Sequence, residues 1–270
     1  MFKSRILPLI LGLTLAPGAA LAAGGSGYVE DHNFSFEGPF GSYDRLQLQR
    51  GFQVYHEICA GCHGLKHVAF RELGSETGPA LPEEQVKAIA ETYFVIDPDG
   101  EPGDMREGRP SDKFPANEGA GAPDLSMMAK GRAGFHGPYG LGTNQLFKGM
   151  GGAEYIRALL LGYTGEEEEI AGNILYENTV MAGGKISMAP PLWGDDVEYG
   201  AFGGEGYTPP EATLEQQATD VAAFLMWAAE PKLVERKEAG VRNVIWLVIL
   251  SVLLYYTNKK LWAPIKRKQV

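Results

Sequence analysis

Four blocks of this chain stand out by their pattern of hydrophobic and polar positions. Across residues 43–58, Leu48, Phe52, Tyr55 and Ile58 recur at three- and four-residue spacing. That period predicts an amphipathic helix, with Ser42 as its N-cap. Residues 213–230 repeat the helical pattern and open on Thr213 and Gln216 at capping-box spacing. The other two blocks are apolar all round. Residues 6–16 follow Lys3 and Arg5 and precede Ala20-Leu21-Ala22, a three-part pattern that reads as a secretory leader over residues 1–22. Residues 244–256 carry no charge. A helix over residues 241–261 would rise about 31 Å, enough to cross a hydrocarbon core of about 30 Å.

The flanks of that last block orient it. Arg242, Lys259 and Lys260 stand near its ends, where long cationic side chains reach the headgroups. Trp246, Tyr255, Tyr256 and Trp262 suit the interfacial belts. Lys259, Lys260, Lys266, Arg267 and Lys268 place the tail on the cytoplasmic side, and the leader sends everything before the span outward. The expected organisation is a cleaved leader at 1–22, a periplasmic domain at 23–240, an anchor at 241–261 and a basic cytoplasmic tail at 262–270.

Composition changes this picture in two respects. The 36 glycines and 17 prolines predict long irregular connections between the helices. Setting aside the two basic residues of the leader and the five at the C-terminal end leaves 17 basic against 34 acidic, a formal charge of −17 on the exported domain. Such a charge fits either a solvated surface or one that steers a basic partner. Glu166, Glu167, Glu168 and Glu169 are read as an exposed loop.

The chemistry is concentrated in one motif. The only cysteines stand in Cys59-Ala60-Gly61-Cys62-His63. C-x-x-C-H is the attachment signature of haem c: two thiols on one turn add to the two vinyl groups, and the next residue presents an imidazole to the iron. Zinc would call for further ligands at paired spacing, which His32, His56, His67 and His136 do not supply. A redox dithiol is expected beside a βαβ pattern, absent here. A structural disulfide would leave His63 without a role.

A six-coordinate electron-transfer haem needs a second axial ligand, usually methionine or histidine. Beyond the leader the methionines are Met105, Met127, Met128, Met150, Met181, Met188 and Met226. Met127 and Met128 follow a Pro-Asp-Leu-Ser stretch on a short helix, and Met226 lies inside a strong one, where packing accounts for them. Met188 instead precedes Ala189-Pro190-Pro191-Leu192, whose prolines hold the backbone extended. That rigidity suits a ligand that must not rearrange on reduction, so Met188 is the candidate, with Met181 next.

Together these motifs resemble the cytochrome c1 family, the haem c subunits of cytochrome bc1 (quinol–cytochrome c reductase) complexes, in its bacterial form. The stretches that carry the resemblance are Cys59-Ala60-Gly61-Cys62-His63, Ala122-Pro123-Asp124-Leu125-Ser126, Met188-Ala189-Pro190-Pro191-Leu192 and Ala223-Phe224-Leu225-Met226-Trp227-Ala228-Ala229-Glu230-Pro231. They occur in the family's order and cover nearly all of the exported chain.

The resemblance implies a mainly α fold: a cytochrome c-like domain with long loop insertions, at residues 95–122 and 163–185, plus one C-terminal transmembrane helix. It implies one haem c, bound through Cys59 and Cys62 and ligated by His63 and Met188. The Pro123 segment would line the haem, and Arg132 would neutralise a propionate. It further implies an electron-transfer subunit, not an enzyme alone, that accepts electrons from the Rieske iron–sulfur protein and passes them to a soluble cytochrome c. Cytochrome b and the membrane are the remaining expected partners, and nucleic acid is not one. Some bacterial relatives brace an insertion with a disulfide; with no cysteine left over, another device must hold residues 163–185 near Met188.

Three rivals are weighed against this. A c-type subunit of another membrane complex would usually carry its anchor at the N-terminus. A haem peroxidase would need an open sixth position and, in most cases, a second haem motif. An independent tethered carrier is excluded only by the resemblance.

Overall fold

The computed structural model describes residues 27–117, 119, 121–135, 148–200 and 206–267. The expected leader at residues 1–22 lies outside them. Six helices are described: α1 (Arg45–Glu57), α2 (Glu83–Glu91), α3 (Met128–Gly131), α4 (Gly152–Leu161), α5 (Leu214–Ala229) and α6 (Leu233–Arg267). Between them lie two short antiparallel sheets.

Helix α1 starts two residues later than its hydrophobic period suggests, and its cap is Asp44 instead of Ser42. Asp44 Oδ1 accepts from the main-chain N–H of Leu46 (2.9 Å) and Gln47 (3.2 Å). A carboxylate satisfies two otherwise unpaired donors and places negative charge at the positive helix end, worth about 1 kcal/mol. The Ser42 N–H instead closes a turn onto the Ser35 carbonyl.

Helix α5 is the centre of the domain. Twelve of its 16 residues are buried, so it is enclosed on nearly all sides. Thr213 caps it by accepting from Gln216 N (3.2 Å), but the reciprocal half of the box is missing because the Gln216 side chain donates to Asp220. Helices α1 and α5 approach closely at Gly51, where a Cβ would lie 2.0 Å from the Asp220 carbonyl oxygen. Beside that contact Arg50 grips Asp220 through two bonds, Nε–Oδ2 at 2.8 Å and Nη2–Oδ1 at 3.1 Å, and donates a third to Tyr207. Phe52 and Tyr55 of α1 meet Phe224 of α5, and the ring stack continues through Phe114 to Phe70 and Tyr93. Each such buried ring contributes about 1.5–3 kcal/mol of hydrophobic stabilisation. This aromatic wall underlies the turn that carries the cysteines.

The two insertions are not simple loops. Residues 95–122 include β2 (Met105–Glu107), which pairs with β1 (Phe94–Ile96). Residues 163–185 form a hairpin of β3 (Tyr163–Ile170) and β4 (Asn173–Asn178), to which β5 (Lys185–Ile186) adds a third strand. The glutamates 166–169, expected in a loop, therefore lie in a strand, exposed on both faces. The hairpin turns at Ala171 and Gly172, both with positive φ (52° and 80°), the geometry that matches strand twist in a two-residue turn.

Helix α6 begins at Leu233, before the expected span, and runs unbroken for 35 residues, about 52 Å. Within it, 233–264 is long and apolar enough to cross a membrane, and none of its apolar window is buried. Trp246, Tyr255, Tyr256 and Trp262 all face outward. The root of this helix is tied to the N-terminal arm: Lys237 donates to the Phe36 and Gly41 carbonyls, while Tyr43 donates to those of Met226 and Glu230.

Candidate functional site

After Glu57 the chain tightens into a single 3-10 turn, Cys59–Gly61. The Cys59 carbonyl accepts from both Cys62 N (3.1 Å) and His63 N (2.8 Å), which puts the two thiols and the imidazole on one turn. The thiols are not joined; Cys59 is half-buried and Cys62 exposed. Burial, with a smaller contribution from Cys62, pushes the Cys59 thiol up to about 12. Among the described residues the one acidic or histidine-cysteine cluster tight enough for a cation is Asp31, Glu37 and Glu154, which contains neither cysteine.

The His63 ring is oriented by Pro123, whose carbonyl lies 2.7 Å from Nδ1. A carbonyl only accepts, so Nδ1 carries a proton, and in the neutral ring Nε2 keeps its lone pair. This is the second-shell arrangement that prepares an imidazole for a metal. The surrounding main chain is held repeatedly. Tyr55 donates to the His63 carbonyl (3.0 Å), Asn117 to that of Gly61 (2.9 Å), and Leu125 N to that of Gly64 (2.9 Å). Asp124 accepts from the main-chain N–H groups of Lys66 and Ser126, while the Ser126 hydroxyl accepts from His67 N. Burial opposes charge on Asp124, but the Ser126 and Lys66 hydrogen bonds prevail and hold its carboxyl below the usual range.

Met188 lies on a separate arm, half-buried, between β5 and the buried Leu192. Its carbonyl accepts from the Tyr163 hydroxyl at 3.0 Å. Behind it Asn178, fully buried, is the joint of the insertion. Its Nδ2 donates to the Leu159 carbonyl, its Oδ1 accepts from Val180 N and Met181 N, and its own N–H donates to the Gly184 carbonyl. Strand pairing and Asn178 together tie residues 163–185 to one another and to the end of α4. Downstream, Gln53 of α1 bonds the Glu198 carbonyl and Gly200 N, which ties residues 198–200 to the helix that leads into the thiol turn.

The other methionines sit in packed or exposed positions. Met181 is held within its own turn, and its sulfur receives the Tyr155 hydroxyl at 3.8 Å. Met105, Met127 and Met150 are exposed, and Met128 and Met226 pack against the core. Arg132, half-exposed after α3, donates to the adjacent Gly131 carbonyl. His56 belongs to the core, stacked on Phe52 and bonded to Tyr93. Tyr163, Asn117 and Asn178 carried no sequence signal: each acts through a partner distant in the chain. Tyr55 was legible only as a core position.

A model of the cytochrome C1 family matches residues 34–265. The chain belongs to the cytochrome c1 family. Among its relatives, the cytochrome c1 of Cereibacter sphaeroides is 48% identical, covering 100% of this chain and 99% of that protein. The mitochondrial "cytochrome c1, heme protein" of Saccharomyces cerevisiae is 38% identical over 87% of this chain and 72% of its own length. A Bradyrhizobium diazoefficiens protein named cytochrome b/c1 is 38% identical over 90% of this chain, which spans 37% of that longer protein. Family membership implies haem c, and the donor set fits it: two free thiols and an imidazole with Nε2 available on one turn.

Proposed function

We propose that this chain binds one haem c covalently through Cys59 and Cys62, with His63 and Met188 as axial ligands, and relays electrons within a cytochrome bc1 complex. The observation that carries the reading is the His63–Pro123 bond, which leaves Nε2 as the one ring nitrogen able to take a metal, on the same turn as two unpaired thiols. When bound, the haem supplies reversible one-electron chemistry. The protein's part is to keep that exchange free of rearrangement: Pro123 fixes the imidazole tautomer, and the proline-stiffened arm presents the Met188 thioether, a ligand type that raises reduction potential.

Cytochrome b is the proposed neighbour of α6, a partnership supported by the relative whose name joins cytochromes b and c1. The Rieske iron–sulfur protein is the proposed donor and a soluble cytochrome c the acceptor. The acidic surplus, including the exposed glutamates of β3, supports a basic acceptor because opposite charge accelerates encounter. The domain would lie in the periplasm, with the basic tail in the cytoplasm, on the strength of the leader pattern and the five cationic residues at the C-terminal end.

Two experiments test this. Met188→Leu is expected to lower the midpoint potential sharply or render the reduced haem reactive to CO; a parental potential and spectrum would remove Met188 from the reading. A mild-detergent pull-down of the tagged chain from its native membrane is expected to bring b-type haem and quinol–cytochrome c reductase activity. A purely c-type spectrum, with no crosslink to a b-type partner in the intact membrane, would favour an independent tethered carrier.

A further inference from the structure

We infer that Tyr163 is a positioning residue for Met188, its hydroxyl determining how firmly the arm that carries the thioether is held. The inference rests on the reading of Met188 as distal ligand.

Both candidate axial residues have their main-chain carbonyl held by a tyrosine hydroxyl at the same distance: Tyr55 to His63 and Tyr163 to Met188, each 3.0 Å. The two bonds differ in what stands beside them. Around His63, further bonds hold Gly61, Gly64, Lys66 and His67. Among the described residues, Tyr163 makes the one hydrogen bond to residues 187–191. Pro190 and Pro191 cannot add another from their own nitrogens, since proline has no N–H. The prolines stiffen the arm but do not fasten it; the hydroxyl does.

Tyr163 is itself firmly placed. It is the first residue of β3, paired in register with the buried Asn178, and it follows Gly162, whose carbonyl accepts from Thr179 N at 2.9 Å. Its phenol is therefore a rigid arm extending from the end of α4 to the Met188 main chain. The hydroxyl bonds the Met188 carbonyl and not its thioether, so it acts on retention of the ligand through the backbone and not on the electronics of sulfur.

The test uses the full chain in its native membrane complex. Tyr163→Phe keeps the ring and removes one oxygen. The expected result is a lowered midpoint potential together with about a tenfold larger CO-reactive fraction of the reduced haem, the equivalent of one lost hydrogen bond. Thr164→Val is the control: it breaks the Thr164–Glu177 bond of the same hairpin without touching Met188, and both readouts should stay parental. A parental potential and CO reactivity in Tyr163→Phe would overturn the inference, even with a lowered melting temperature. So would equal shifts in Thr164→Val, which would make the effect a general loosening of the hairpin. Met188→Leu measured in parallel separates the two levels: if that variant behaves as parent, the ligand assignment itself has failed.

Discussion

The thiol turn and the methionine arm serve one proposed site but are built on opposite plans. The turn folds within five residues, over an aromatic wall, with its carbonyls and N–H groups bonded many times to residues 117–126. The arm bends at Ser187 and Met188 ahead of two prolines, and its position is inherited from a hairpin, a buried asparagine and one tyrosine hydroxyl. The difference teaches where such a site should fail first. A locally closed motif with redundant bonds survives the loss of one of them, whereas an arm fixed by tertiary contacts transmits each loss to its tip.

Three perturbations would break or sharpen that contrast. The largest effect is expected beneath both arms. Asp220→Ala would strand the buried Arg50 charge between α1 and α5, costing about 3–5 kcal/mol, and a thermal or denaturant melt should show it. Because Gln53 ties residues 198–200, downstream of the arm, to α1, and α1 leads into the thiol turn, the loss should weaken protection of both regions in hydrogen exchange; selective loss in one region would show that they do not share this support.

A paired comparison comes next. Asn178→Ala leaves Val180 N and Met181 N without their side-chain partner and the Leu159 carbonyl with the Gly162 N–H alone, a local cost of about 3 kcal/mol, while Asn117→Ala removes a single exposed bond and about 1 kcal/mol. Hydrogen exchange should rise over residues 174–188 in the first variant and change little around Cys59–Gly61 in the second. Equal sensitivity in the two arms would contradict the proposed redundancy.

The last prediction is a pH dependence. Glu154 of α4 is buried beside Glu37; desolvation first, and the Glu37 carboxyl next, raise it to about 8 from an ordinary 4.5. A carboxyl that binds its proton more tightly when folded stabilises at low pH, and that contribution is lost as pH rises from about 4.5 through about 8. Since α4 ends at the Asn178 joint, the loss should load the methionine arm. Glu154→Gln should melt with a flatter pH profile across that window; an unchanged slope would show that Glu154 is already ionised in the folded protein.

Much of this architecture was legible before any coordinates. The C-x-x-C-H turn, helices α1 and α5 and the apolar anchor all rest on short-range spacing, and all four appear close to where the pattern put them. The Asp44 cap was missed because Ser42, Asp44 and the intervening tyrosine offer competing starts, and the choice depends on which side chain can reach two N–H groups. The β3–β4 hairpin was missed for a different reason. Its strands are mostly exposed, so no face needs an apolar alternation, and its turn begins on Ala171 where asparagine or glycine is the usual signal.

What the sequence by itself determined was the chemistry on offer: two thiols and an imidazole on one turn, a methionine followed by two prolines, an acidic surplus and a C-terminal apolar helix. These depend on residue type and near-neighbour spacing, which the chain carries openly. Only the tertiary structure decided that Pro123 would set the His63 tautomer, that Asn178 would lock the insertion and that Tyr163 would hold Met188. The reason is physical: each is a short-range hydrogen bond between groups distant in sequence or in different elements, so only the packing of α1, α4, α5 and the hairpin brings donor and acceptor within about 3 Å.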